Sequence, residues 1–280
     1  MKKRVFMFIL CILVFISGTV FAGYDRYEVV FLDTGQSDCI LIKAWNKNYL
    51  IDTGAEYYSN RILNYLNYNR IGKIDTIILT HYHDDHYGGL INIIKNKKVE
   101  TVFLPKYESD IKKNLYNSII KNNVKVKYIG KGYKLKNGKV NLKVIGPLKE
   151  HKDISDNNSL ENNNSLVLQG TIEGIKYLFA GDCEKQEEID LIESGELKQC
   201  DILKLPHHSL NTSSTEGFIN LIKPKIAVVT CNGVETPNLS TLKRLHEKGI
   251  IIFRTDIRGN VVVKDGFIRG TRDGVGMRIK

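Results

Sequence analysis

Five of the seven histidines fall in two short clusters, Thr80-His81-Tyr82-His83-Asp84-Asp85-His86 and Pro206-His207-His208. His81 and His83 stand two residues apart, so in extended backbone their rings point to the same side. Asp85 and His86 come one turn later and can serve a second position. Neutral imidazoles with carboxylates suit zinc, and also manganese or iron. Two such ions side by side can activate water and stabilise a hydrolytic transition state. His81, His83, Asp85 and His86 are therefore the first candidate ligands, and Asp85 is also the candidate proton acceptor. The expected cofactor is a pair of divalent ions, Zn2+ or Mn2+.

A dinuclear site needs a carboxylate between its ions. Asp182 is the best placed, because it follows the apolar run Tyr177-Leu178-Phe179-Ala180 and Gly181 frees the turn. One of His207 and His208 is expected to complete the second metal position. The other would hydrogen-bond a substrate oxyanion or orient a ligand. The sequence leaves open which does which. Asp33 and Asp52, near predicted strand ends, are expected to support the ligand loops.

These residues need strands that end together. Short apolar runs predict strands at Tyr27–Leu32, Cys39–Ala44, Asn48–Ile51 and Ile74–Leu79, the last leading directly into the first cluster. Further strands are predicted at Val99–Leu104, Val124–Ile129 and Lys139–Ile145, then a hairpin through Glu173-Gly174, then Ile202–Leu205 ahead of the second cluster. Helical spacing marks Arg61–Tyr68, Leu90–Lys95, Ile111–Lys121 and Lys185–Ile192, and the Asn-rich stretch 155–164 reads as a loop. After Leu205 the alternation continues through Val263. Mixed strands with helices between them predict an α/β sandwich with helices on both outer faces.

Lys2-Lys3-Arg4, the apolar run from Val5 to Ile16 and the small-residue exit Val20-Phe21-Ala22 read as a secretory leader over residues 1–22. Residues 23–280 are then one secreted domain, and nothing later is apolar for long enough to span a bilayer. Kept as a membrane anchor, the same leader would tether it. The formal charge is +10. Fourteen lysines lie between Lys95 and Lys143. Such a stretch would attract a polyanionic partner, DNA among them, or be a solvated surface. Cys39, Cys183, Cys200 and Cys231 are widely spaced and read as buried small residues. The oligomeric state is not legible.

Taken together, T-H-x-H-x-D-H, a Gly-Asp after a strand and a late histidine resemble the metallo-β-lactamase superfamily. Further segments resemble one branch of it, the soluble nuclease-like domain of ComEC-type competence proteins. They are Phe31-Leu32-Asp33-Thr34-Gly35-Gln36-Ser37-Asp38, Leu50-Ile51-Asp52-Thr53-Gly54, Asn163-Asn164-Ser165-Leu166-Val167-Leu168, Leu205-Pro206-His207-His208-Ser209, and Arg254-Thr255-Asp256 with Gly259. The resemblance implies a four-layer αβ/βα sandwich, His81 and His83 on one metal, Asp85 and His86 on the other, Asp182 between them, and hydrolysis of a phosphodiester or related ester. Where many members carry another histidine before the bridging aspartate, this chain offers Asn162, Asn163 and Asn164, with His151 upstream. Ser209-Leu210 stands where the branch has Gly-Ser, and Thr236-Pro237 where it often has His-Pro. The functions that follow are a secreted phosphodiesterase or nuclease, a small-molecule or cell-wall esterase of phosphocholine or lactone type, or a weakly catalytic polyanion-binding protein.

Overall fold

Successive apolar side chains of the first strands go to different layers. Val29, Phe31, Ile40 and Ile42 enter one hydrophobic cluster, while Val30 and Leu41 enter another. A strand whose faces are both covered must be apolar at nearly every position, which is why these runs look continuous in the sequence. The computed structural model describes residues 27–279, and the predicted leader lies outside them.

There are two sheets. In the nine-stranded sheet the order is β16-β15-β14-β1-β2-β3-β4-β5-β6. It runs from β1 (Glu28–Phe31), β2 (Ile40–Ala44) and β3 (Lys47–Ile51) through β4 (Lys73–Ile78), β5 (Lys98–Pro105) and β6 (Lys125–Ile129), and its other edge is β14 (Val261–Lys264), β15 (Phe267–Gly270) and β16 (Gly276–Arg278). The seven-stranded sheet has the order β13-β12-β11-β10-β9-β8-β7. Its members are β7 (Lys134–Asn137), β8 (Val140–Gly146), β9 (Val167–Ile172), β10 (Ile175–Phe179), β11 (Ile202–Lys204), β12 (Ile226–Val229) and β13 (Ile251–Arg254).

Phe31, Ile40 and Phe103 of the first sheet meet Leu168, Tyr177 and Phe179 of the second between the sheets. Helices Ser59–Tyr68, Leu90–Asn96 and Lys112–Lys121 cover the outer face of the first sheet through Ile62, Leu66, Ile93 and Ile119. Helices Lys185–Ser194, Glu216–Ile222 and Leu239–Glu247 cover the second through Leu191, Phe218, Ile222 and Leu245. The layers are helix, sheet, sheet, helix, as expected. Strands β3 to β6 are mutually parallel, and so are β10 to β13.

Two features depart from expectation. Residues 155–164 are not all loop, since Asn157–Asn163 is a helix. Asp156 caps it by accepting from Ser159 N at 2.7 Å, and it carries no apolar stripe for a sequence reading to find. Strand β7 and the closing strands β15 and β16 were not anticipated. Gly88-Gly89, after the first cluster, sits where the backbone packs closely: a Cβ on Gly88 would collide with Asp84 O, and one on Gly89 with Thr53 O. Among the described residues, Cys39, Cys183, Cys200 and Cys231 are buried and form no disulfide. No described helix is long and apolar enough to cross a membrane.

Candidate metal centre

The candidate residues follow the carboxyl ends of β4 in the first sheet and of the parallel pair β10 and β11 in the second, the ends at which ligands gather in α/β sheets. Beyond β4 come Thr80, His81 and His83, beyond β10 Asp182, and beyond β11 His207 and His208. Gly181 makes the turn to Asp182 at φ 54°, and a Cβ there would lie 3.0 Å from Ser165 Cβ and 3.1 Å from Thr80 Cβ.

Four side chains converge. Asp182 Oδ2 is 3.2 Å from His86 Nε2 and 3.3 Å from His208 Nε2. Asp85 Oδ2 is 3.3 Å from His208 Nε2 and 3.7 Å from His86 Nε2. Donor atoms about 2.0–2.1 Å from a tetrahedral ion stand about 3.3 Å from one another. The buried Nε2 atoms of His86 and His208 and the Oδ1 of Asp182 make no hydrogen bond. Buried polar atoms left this way carry a penalty that a bound cation removes. The residues therefore fit a divalent ion.

The far side of each ring fixes its tautomer. His86 Nδ1–H donates to Asp52 Oδ2 at 2.8 Å, and Asp52 also accepts from Thr80 N and Thr80 Oγ1, both at 2.7 Å. His208 Nδ1–H donates to the Thr230 carbonyl at 2.9 Å. Both Nε2 lone pairs are thereby presented to the carboxylates, the usual second layer of a metal site. Burial opposes charging either ring. The carboxylates of Asp182, Asp85 and Asp52 outweigh it at His86 and hold its pKa well above the usual value, and His208 is pushed up to about 10, chiefly by Asp182. Asp182, despite its burial, is held well below the usual carboxylate range by His208 and His86.

His81 and His83 lie alongside, with His81 Nε2 3.1 Å from His83 Nδ1. Burial, His86 and His83 push the His81 imidazole well below its usual pKa, so it stays neutral and able to ligate.

The second cluster divides. Residues His207, His208 and Ser209 all have left-handed backbone, with φ of 47°, 51° and 72°, a strained run that turns successive rings to different sides. His208 enters the four-residue group. His207 does not. Its Nδ1 is 2.7 Å from Thr212 Oγ1 and 3.1 Å from Glu184 Oε1, and its ring stands over the cleft. His207 as a metal ligand is set aside on that geometry. Asp33 is also corrected: it pairs with Arg272 at 2.8 Å and Arg61 at 3.7 Å, away from the ligands.

Two residues that the sequence reading passed over complete the support. Lys204, on β11 and buried, places its Nζ 2.6 Å from Asp38 Oδ2. Asp38 Oδ1 accepts from Thr230 Oγ1 at 2.6 Å. The pair thus braces the residue whose carbonyl orients His208. Asp38 closes the first of the branch-like motifs, which was its only signal.

The ligands open into a cleft of about 560 Å³ walled by Tyr57, Tyr58, Asp84, Asp156, Glu184 and Glu235 among others, with no lysine or arginine in its lining. The lysine stretch lies elsewhere. Lys125 and Lys127 are exposed on β6, and Lys134 and Lys136 on β7, each an edge strand, where charge blocks pairing with another chain.

The sequence profile of the metallo-beta-lactamase superfamily matches residues 32–233. ComE operon protein 3 of Bacillus subtilis is 27% identical over 257 residues, and Competence protein ComA of Neisseria gonorrhoeae 27% over 240. Each match covers 84% of this chain and 32% of the relative, so the chain spans about a third of their length. Among solved structures, the metallo-beta-lactamase fold protein YhfI of Bacillus subtilis superposes with a TM-score of 0.57 at 12% identity, over 85% of this chain and 99% of that one.

Proposed function

This chain belongs to the metallo-beta-lactamase superfamily and is a metallo-hydrolase of it, and from that premise we propose that it cleaves a phosphodiester, with nucleic acid the first candidate substrate. The observation that carries the reading is the convergence of Asp85, His86, Asp182 and His208 at metal-ligand spacing. Similarity to a ComE operon protein and a competence protein supports the nucleic-acid substrate.

Asp85, His86, Asp182 and His208 would hold one ion, and His81 and His83, with Asp182 shared, the other. When bound, such ions lower the pKa of water from 15.7 towards about 7 and offset charge on phosphoryl oxygens. The chain's own groups do the rest. Asp85, 26% exposed, reaches the cleft and accepts the proton of the attacking water. Asp52 and the Thr230 carbonyl keep both imidazoles in the ligating tautomer. His207, held by Glu184 and Thr212, stands in the wall of the cleft where the substrate would lie. The leader-like residues 1–22 support export as the setting for this activity.

A second reading is an ester that carries a cationic group, as in the phosphocholine type. The acidic, lysine-free cleft lining favours it. The test is hydrolysis of single-stranded DNA, of bis(4-nitrophenyl) phosphate and of 4-nitrophenyl phosphocholine, with manganese or zinc added and His86→Ala as control. Metal-dependent cleavage of DNA and the neutral-tailed diester supports the first reading. Preference for the cationic ester supports the second. If His86→Ala matches wild type on every substrate, both fail.

A further inference from the structure

The segment Asn162-Asn163-Asn164 stands where many superfamily members have a histidine, and the structure separates the three. Asn163 is used within the fold: its Oδ1 accepts from Glu187 N at 2.9 Å and its Nδ2 donates to Ser159 O at 2.8 Å. Asn164 is used as well, with Oδ1 accepting from His151 N at 2.9 Å and Nδ2 donating to the carbonyls of His151 and Leu160, both at 3.1 Å. His151 itself is occupied by Glu187, Nε2 to Oε2 at 2.8 Å. The adjoining Glu161 lies with Ser109 in a separate pocket, although its Oε2 is also buried without a partner.

Asn162 differs. It is 2% exposed and forms part of the cleft wall with His83 and Asp85. Its Nδ2 donates to Glu184 Oε1 at 2.9 Å and faces His207 Nε2 at 3.3 Å. A carboxylate can only accept, so the amide end facing Glu184 is the NH2. The opposite end, Oδ1, is buried without a partner. An amide oxygen so placed costs free energy unless something takes its lone pair. Asp182 Oδ1 is likewise buried without a partner.

We propose that Asn162 Oδ1 is a ligand of the ion held by His81 and His83, taking the place of an imidazole. This rests on the metal-dependent reading above. An amide oxygen is a harder donor than a ring nitrogen, so the exchange shifts that position from zinc towards manganese. Glu184 and His207 become its positioning residues.

The test counts and titrates metal, with no reliance on turnover. Chelator-stripped full chain is titrated with manganese and with zinc by calorimetry, and bound ions are counted by mass spectrometry. Wild type is expected to take two manganese ions. Asn162→Ala should keep one of similar affinity and weaken the other at least tenfold. Asn162→His, which restores the imidazole, should raise zinc affinity at the weaker position at least tenfold, and it decides the matter if the alanine variant does not fold. Glu161→Gln should leave both ions unchanged. Two manganese ions of wild-type affinity in Asn162→Ala, or no zinc gain in Asn162→His, would overturn the assignment and leave the hydrolase reading standing. Wild type that takes only one manganese ion at saturation also overturns it, and wild type that takes none overturns both.

Discussion

Replacing Lys204 with methionine removes one half of a buried ion pair and leaves the other half in place. The Nζ to Asp38 Oδ2 distance is 2.6 Å, and both side chains have at most 1% exposure. Methionine fills nearly the same volume, so the cavity contribution is small. What remains is an uncompensated carboxylate, which costs about 3–5 kcal/mol. For a chain of this size that lowers the melting temperature by about 6–20 °C. Burial alone would discharge the lysine, but Asp38 and then Asp182 hold its pKa above the usual value. A raised lysine pKa gives stability that is present at low pH and lost only as pH rises through the folded value. The deficit of Lys204→Met should therefore be the same from pH 6 to pH 9. The assay is urea unfolding of chelator-stripped protein, with Lys204→Met/Asp38→Asn as the second arm. The double variant removes the stranded charge and should recover at least half of the loss. A single variant within 1 kcal/mol of wild type, or a double variant no better than the single, would show that the pair does not brace the site in this way.

Three further outcomes are expected. Asp52→Asn keeps a residue that tolerates the left-handed backbone at this position (φ 59°) but weakens the acceptor for His86 Nδ1–H. It should loosen the ion at the Asp85–His208 position about 10–100-fold, read by competition with a chelating dye, and unchanged affinity would refute the tautomer argument. Ser209→Gly should stabilise the protein by about 1 kcal/mol in urea unfolding, because φ 72° is strained for serine and its buried Oγ has no partner; a destabilised variant would contradict this. The stripped protein gains stability from protonated His208, fully present below about pH 6.5, the unfolded value, and lost as pH rises through about 10. Its melting temperature should fall from pH 7 to pH 10 relative to His208→Asn, a slope that metal loading abolishes.

Much of this site could be read from types and spacing, because a ligand set is dense in rare residues. His81, His83, Asp85 and His86 lie within six positions, and Asp182 announces itself by the Gly-Asp at a strand end. The division of labour between His207 and His208 was not legible, since it depends on three consecutive left-handed residues that no propensity favours. Lys204 was invisible for a different reason. A single lysine inside Ile202-Leu203-Lys204-Leu205 looks like an outward position, and only the sandwich brings Asp38 from the loop after β1 against it. Asn162 could be noted as a gap but not distinguished from Asn163 and Asn164 until their partners were known. The strands were easy to predict from their apolar runs, whereas the polar helix Asn157–Asn163 lacked any apolar period.

The most direct measurement is the number of ions bound per chain after stripping, reloading with manganese or zinc and desalting, for wild type and Asp182→Ala. Asp182 brings Oδ2 to His86 and His208 and keeps its buried Oδ1 without a partner, so one oxygen is left for a second ion. Two ions in wild type and at most one, weakly held, in the variant is the expected result. Wild type that retains no ion, or Asp182→Ala that retains two, would contradict a shared-carboxylate metal centre in this fold.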